Sequence, residues 1–245
     1  NSEYVSGFFM NDKTLLFTDD FSEPGFVFAP FDNEQKAILF PLETSEFITE
    51  NISLGAFIED EKTFFADEAV KENHIRLVEK TIEEIKKNDL KKVVVSRTEQ
   101  VKITDFNLLV VYQKLLQNYK NAFVYVWFHP KVGLWLGATP ETLLEIKDSV
   151  FTTMSLAGTQ VYKDTENVVW KSKELNEQQL VTDFIENQLS GISSNLKIDK
   201  TETVKAGSLL HLKTKVTGVL NEKSTLKTLV SALHPTPAVC GMPRG

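Results

Sequence analysis

The sequence predicts an α+β protein, largely antiparallel β-sheet flanked by helices. Two observations carry that expectation: short apolar runs joined as hairpins, and stretches in which apolar residues recur every three or four positions. No internal repeat, low-complexity tract or linker interrupts the pattern, so residues 1–245 read as one domain. Its first part, about 1–66, is strand-rich, and the part from 67 onward carries the chemistry-bearing motifs.

The strands of the first part are Leu15–Thr18, Gly25–Ala29 and Ala37–Phe40, apolar or aromatic runs bounded by Asp, Pro and Gly. Over Asp67–Asn88 the period changes to that of a helix, with Val70, His74, Leu77 or Val78, Thr81 or Ile82, and Ile85 on one side. The pairs Glu72–Arg76 and Glu83–Lys87 support it. Val93–Val95 opens a β-branched strand running to about Ile103. Thr104 or Asp105 can then cap a helix that buries Phe106, Leu109, Val110 and Leu116. Ala122–Phe128 and Gly133–Leu136 form a hairpin across His129–Pro130, and Leu143–Ile146 with Val150–Met154 another around Lys147–Asp148. A long helix, about Val168–Leu189, is followed by strand-like runs near Asn195–Val204 and Leu209–Leu220 and a short helix capped by Ser224.

Composition narrows the function classes. The chain has 245 residues, 42% hydrophobic and 25% charged, enough to bury a sizeable core. With 27 Lys+Arg against 34 Asp+Glu the formal net charge is −7, a poor match to phosphate backbones, so nucleic acid is not an expected partner. No run approaches the ~20 apolar residues that span a bilayer, and the polar start NSEYVSG does not read as a signal peptide. The single cysteine, Cys240, rules out an intramolecular disulfide and a cysteine-built zinc site. The expectation is a cytoplasmic protein without a membrane partner.

Three charged features fit a structural pattern badly. On the long helix the stripe Leu180, Val181, Phe184, Ile185 extends backwards through Glu177 to Glu174, and carboxylates on a core-facing line are costly unless paired or bound to metal. Lys92 alternates with Val93 at a strand start and so faces the opposite side. Glu141 follows Gly137-Ala138-Thr139-Pro140, small residues that let backbone approach a ligand. Periodicity alone leaves the ordinary readings open: a frayed helix end paired with Lys171 and Lys173, a solvent-facing lysine beside Lys91, and a loop carboxylate. His211, inside Leu209–Leu212, and His234, before Pro235-Thr236-Pro237, are the histidines that best fit a pocket.

Taken in order, six segments resemble the chorismate-utilising enzymes, most closely the isochorismate synthases. They are Lys92-Val93-Val94-Val95-Ser96-Arg97; Gly137 to Leu144; Leu156-Ala157-Gly158-Thr159; Lys173 to Glu177 with Leu180-Val181; Leu210-His211-Leu212; and Leu233 to Gly241. The resemblance implies that family's fold, chorismate as substrate and Mg²⁺ as cofactor. In that family water attacks C2 while the C4 hydroxyl departs. Lys92 aligns with the general base and Glu141 with the general acid. Glu177 aligns with a Mg²⁺ ligand, with Glu174 close enough to help. Gly158, Thr159 and His211 line the substrate site by the same resemblance, with Ala238 in the nearby loop His234 to Ala238. Anthranilate synthases carry glutamine where Lys92 stands, and aminodeoxychorismate synthases carry lysine where Ala157 stands. Lys92 with Ala157 therefore implies water as nucleophile.

Isochorismate synthase and salicylate synthase share both of those choices, and the His-Pro-Thr-Pro-Ala-Val segment favours the first, serving menaquinone or siderophore synthesis. A fragment that binds chorismate or a partner without chemistry is the competing expectation. The family pattern continues past Gly245 with a further Mg²⁺ glutamate, a substrate arginine and sheet-closing strands, so a chain truncated at the C-terminus is expected. The resemblance also suggests a monomer.

Overall fold

A computed structural model describes residues 4–52 and 68–244. Its core is a single unit in which one helix lies across an antiparallel sheet. Strands β10 (Val150–Val161) and β13 (Leu209–Leu220) pair along their whole length, with Thr153 opposite Val216 and Ser155 opposite Thr214. β9 (Glu145–Lys147) adds to the outer edge of β10, and β11 (Ser193–Ile198) and β12 (Glu202–Ala206) both pair with β13. Alternation puts Phe151, Thr153, Ser155 and Ala157 of β10 on one face with Leu210, Leu212, Thr214 and Val216 of β13.

Helix α3 (Ser172–Leu189) covers that face with Val181, Phe184, Ile185 and Leu189, and α4 (Leu226–Leu233) closes the core with Leu229 and Leu233. Phe151, Ile185, Leu189 and Val216 are fully excluded from solvent. At roughly 1.5–3 kcal/mol for each large side chain buried, these contacts dominate the unit's stability.

Two smaller sheets pack face to face beside it. The first has the order β2 (Leu16–Thr18), β4 (Ala37–Pro41), β3 (Gly25–Phe28). The second is the hairpin β7 (Phe123–His129) with β8 (Gly133–Thr139). Aromatic rings join them: Phe28 stacks on Trp127 at 4.2 Å and 13°, and Phe40 lies 5.7 Å from the same indole. Helix α2 (Leu108–Asn118) rests on this hairpin.

Several boundaries differ from the sequence expectations. β1 (Tyr4–Met10) and β5 (Ser45–Asn51) form a ribbon that hydrophobicity did not announce, because Ser45–Asn51 is mostly polar and exposed and no residue of Tyr4–Met10 is fully buried. The strand expected from Val93 to Ile103 is only β6 (Lys92–Val93), which pairs with β14 (Gly241–Met242). Helix α2 starts later than expected because the Asn107 side chain, not Thr104 or Asp105, accepts from the Val110 amide. Helix α3 begins at Ser172 rather than near Val168, and α4 is capped by Thr225 rather than Ser224. The run Asn195–Val204 divides into β11 and β12.

Helix α1 (Glu68–Lys87) forms as the period required, yet no side chain on it is buried. Its half-buried line is Val70, His74, Val78, Thr81 and Ile85. The start of the expected helix at Asp67 lies outside the described residues. None of the helices described is long and apolar enough to cross a membrane.

Candidate active site

Lys92 is placed by its backbone. Gly241 and Met242 pair with Val93 and Lys92, while the Lys91 amide donates to Met242 O and the Val94 amide to Cys240 O, each at 2.8 Å. In this short ribbon the lysine points inward and the valine outward: the Lys92 side chain is 13% exposed, Val93 37%. Lys92 Nζ donates to Pro237 O at 2.6 Å and to Ala238 O at 3.2 Å, and meets Glu177 Oε1 at 3.3 Å. Two carbonyls thus accept hydrogen bonds from the ammonium, and the Glu177 carboxylate balances its charge. A solvent-facing lysine is excluded, and so is a frayed, surface-paired Glu177.

Those two carbonyls belong to the loop between α4 and β14, which is tied down on several sides. His234 Nε2 lies 2.9 Å from Phe31 O, its ring meets Phe31 edge-on, and its own carbonyl accepts from Asn33 Nδ2 and Arg244 Nη1 at 3.2 Å each. Thr236 at the loop's centre is 3% exposed. His234 thus anchors the loop through residues distant in sequence, a role its position before two prolines did not specify.

Glu174 and Glu177 lie on α3, both half-buried and close to one turn apart. Glu174 Oε2 accepts from the Lys171 amide at 3.2 Å, capping its own helix. Glu141 follows β8, its amide donating to Thr139 Oγ1 at 3.3 Å. Burial pushes its carboxyl above the ordinary glutamate range, and the Lys92 ammonium pulls in the opposite direction. Glu141 therefore sits within the field of Lys92, and burial makes it easier to protonate than a free glutamate.

The other expected residues meet at one end of the β10–β13 ladder. Ala157 pairs with Leu212 and Thr159 with His211, leaving Gly158 as the extra residue of a bulge at φ +65°. A Cβ on Gly158 would lie 3.2 Å from Glu174 Cβ and 3.3 Å from Glu174 O, so the bulge presses directly on the first turns of α3. His211 Nδ1 lies 3.2 Å from both Thr159 Oγ1 and Gly158 O.

The structure thus assembles two groups: Lys92 with Glu177, Ala238 and the field on Glu141, and Gly158 against Glu174 with Thr159 and His211 bonded beside the bulge. Helix α3 joins them. Sequence reasoning missed Gln178, a fully bonded amide beneath the bulge. Its signal was present, since Gln178 lies on the same helical line as Glu174 and Val181, but it carries no charge to mark it as a misfit.

Among the described residues no three His, Cys, Asp or Glu side chains cluster as a ready metal cage. Mg²⁺ does not need one: it is commonly held by one or two carboxylates, with substrate oxygens and waters completing the octahedron. Glu174 and Glu177 each keep one carboxylate oxygen outside the hydrogen bonds and ion pairs of the described residues, so the donor set fits part of such a site.

Comparison with known proteins bears on the family and the fold. A family profile described as chorismate binding enzyme matches residues 36–245. The salicylate biosynthesis isochorismate synthase of Pseudomonas aeruginosa is 28% identical over 176 residues, 68% of this chain and 37% of that protein. The isochorismate synthase EntC of Escherichia coli K12 is 32% identical over 120 residues, 45% of this chain and 31% of that protein. The chain thus spans about a third of the length of these curated relatives. DhbC from Bacillus anthracis superposes with a TM-score of 0.70 at 22% identity, over 99% of this chain and 75% of that one. Anthranilate synthase component I from Streptococcus pneumoniae gives 0.51 at 15% identity, over 98% and 63%.

Proposed function

The chain belongs to the chorismate-binding enzyme family, and from that premise we propose that the protein isomerises chorismate to isochorismate with Mg²⁺. Water adds its oxygen at C2, the ring double bonds shift, and the C4 hydroxyl leaves. Lys92 takes the proton from the attacking water, and Glu141 gives one to the departing hydroxyl, which leaves as water. Addition and loss of water balance, so the net reaction is an isomerisation.

The observation that carries this reading is the placement of the two groups, an inward-facing lysine close enough to a half-buried glutamate to act on its charge. Glu141 is pushed by burial towards its neutral form, as a general acid requires. Lys92 is inward-facing and held by Pro237 O, Ala238 O and Glu177. To accept a proton Lys92 must first have lost one, and the free amine then offers its lone pair in place of one N–H. Water is the nucleophile in this reading because Lys92 stands where a glutamine would serve ammonia, and Ala157 has no amine to form an adduct.

Glu177 would hold Mg²⁺, with Glu174 beside it through its uncommitted oxygen. The ion supplies positive charge for the ring carboxylate of chorismate. Gly158 and Thr159 offer main-chain and hydroxyl contacts for that substrate, and His211 fixes the Thr159 hydroxyl and the Gly158 carbonyl in place. We place the protein in the cytoplasm as a monomer.

The test is product identification with Lys92→Ala and Glu141→Gln beside the wild type. Each should lose turnover while circular dichroism stays native. Wild-type rates in either variant refute the assigned roles. Pyruvate among the products would instead identify a salicylate synthase.

A further inference from the structure

Gln178 lies on the buried line of α3 yet is neither apolar nor charged, and it is 2% exposed. Its Oε1 accepts from the Ala157 amide at 2.9 Å. Its Nε2 donates among Ser155 Oγ at 2.8 Å, Thr214 Oγ1 at 3.0 Å and Ser155 O at 3.1 Å. Ser155 and Thr214 face each other across the β10–β13 ladder, so one amide bridges both strands. One turn on, Thr182 Oγ1 donates to Gln178 O at 3.0 Å and meets Ser155 Oγ at 2.7 Å.

A helix lying on a sheet needs no such network for stability. Apolar side chains of the same shape can replace fully bonded buried groups at little cost. What a satisfied polar network adds is a single register, because any slide or rotation of α3 leaves several buried donors and acceptors unpaired. The location gives that register a use. Gln178 follows Glu177 directly on the helix, and the amide it holds, that of Ala157, directly precedes the Gly158 bulge.

We propose that Gln178 is a positioning residue: it locks α3 onto β10 and β13 in the one register that aligns Glu174 and Glu177 with Gly158, Thr159 and His211. This rests on the reading of that cluster as the chorismate site. Gln178 touches no reacting atom and acts only through the backbone of Ala157 and the setting of the helix.

The experiment compares Gln178→Leu with Ile185→Val, a core change on the same helix away from the network. In Q178L, amide hydrogen exchange at Ala157 and Thr159 should rise about tenfold while α4 amides keep their rates. The kcat for isochorismate formation should fall between about ten- and a hundredfold, as expected of a misplacement near 1 Å. I185V should keep kcat at a comparable melting temperature. If Q178L does not fold, Thr214→Val removes one arm of the bridge and carries the same expectations. Unchanged exchange at Ala157 overturns the proposal, as does a kcat loss equal to that of I185V. If the wild type does not convert chorismate, the reading of the site fails, and exchange alone decides the positioning role.

Discussion

Replacing Gly158 with alanine tests whether the bulge is held by the fit between β10 and α3. Two costs combine. At φ +65° an L side chain carries about 1–2 kcal/mol of strain. The added methyl would also meet Glu174 Cβ at 3.2 Å and both Glu174 O and Leu212 Cδ1 at 3.3 Å, and the backbone of α3 cannot yield as a flexible side chain would. Overpacking of this kind costs about 1–3 kcal/mol, so the sum is about 2–5 kcal/mol. Urea unfolding followed by circular dichroism measures it, read from the midpoint at constant slope. Gly191→Ala is the control, since nothing lies within 4 Å of its Cβ position; it should change stability by no more than about 1 kcal/mol. Gly158→Asn separates the two costs. Asparagine tolerates left-handed backbone better than alanine but is bulkier, so crowding makes it the more damaging change. An asparagine variant more stable than the alanine one refutes the packing argument.

Three further outcomes follow from the same geometry. Lys92→Ala and Glu141→Gln should each lower kcat by about 10²–10⁴, the range of one proton-transfer group, in a steady-state assay. Burial raises the Glu141 pKa in the folded state, so its favourable neutral form is fully present below the unfolded value of about 4.3 and is lost as pH rises through the folded value. A glutamine in its place stays neutral at every pH, so the stability of E141Q relative to wild type should grow as pH rises above about 4; parallel melting-temperature profiles would sink this. Phe151→Ala, at a fully buried position, should cost about 3–5 kcal/mol in thermal or urea unfolding, and a loss below about 1 kcal/mol, less than the low end for Phe→Ala, would displace Phe151 from the core.

The parts of the fold legible in the sequence were those with a strong period. The runs Val150–Met154 and Leu209–Leu220 and the apolar stripe of α3 stood out, although the first strand continues to Val161, beyond its expected end. The ribbon of β1 with β5 was illegible because its strands bury too little to leave a pattern. Lys92–Val93 was too short a strand to be bounded without its partner Gly241–Met242, nearly 150 positions away. At the candidate site the unusual carboxylates and the inward lysine were visible as misfits. Their partners were not: the carbonyls of Pro237 and Ala238 are main-chain groups that no sequence pattern marks, and His234 serves as an anchor through Phe31 and Asn33. Gln178 escaped notice because a neutral amide on a stripe looks like an interruption until its hydrogen bonds are seen.

The central claim is that this site converts chorismate to isochorismate with Mg²⁺. The most direct measurement incubates the purified protein with chorismate, with and without Mg²⁺, and identifies products by liquid chromatography and mass spectrometry. Isochorismate formed only with Mg²⁺, and without pyruvate, is the expected result. A folded protein that binds chorismate yet forms no isochorismate, or forms it equally without the metal, contradicts the account.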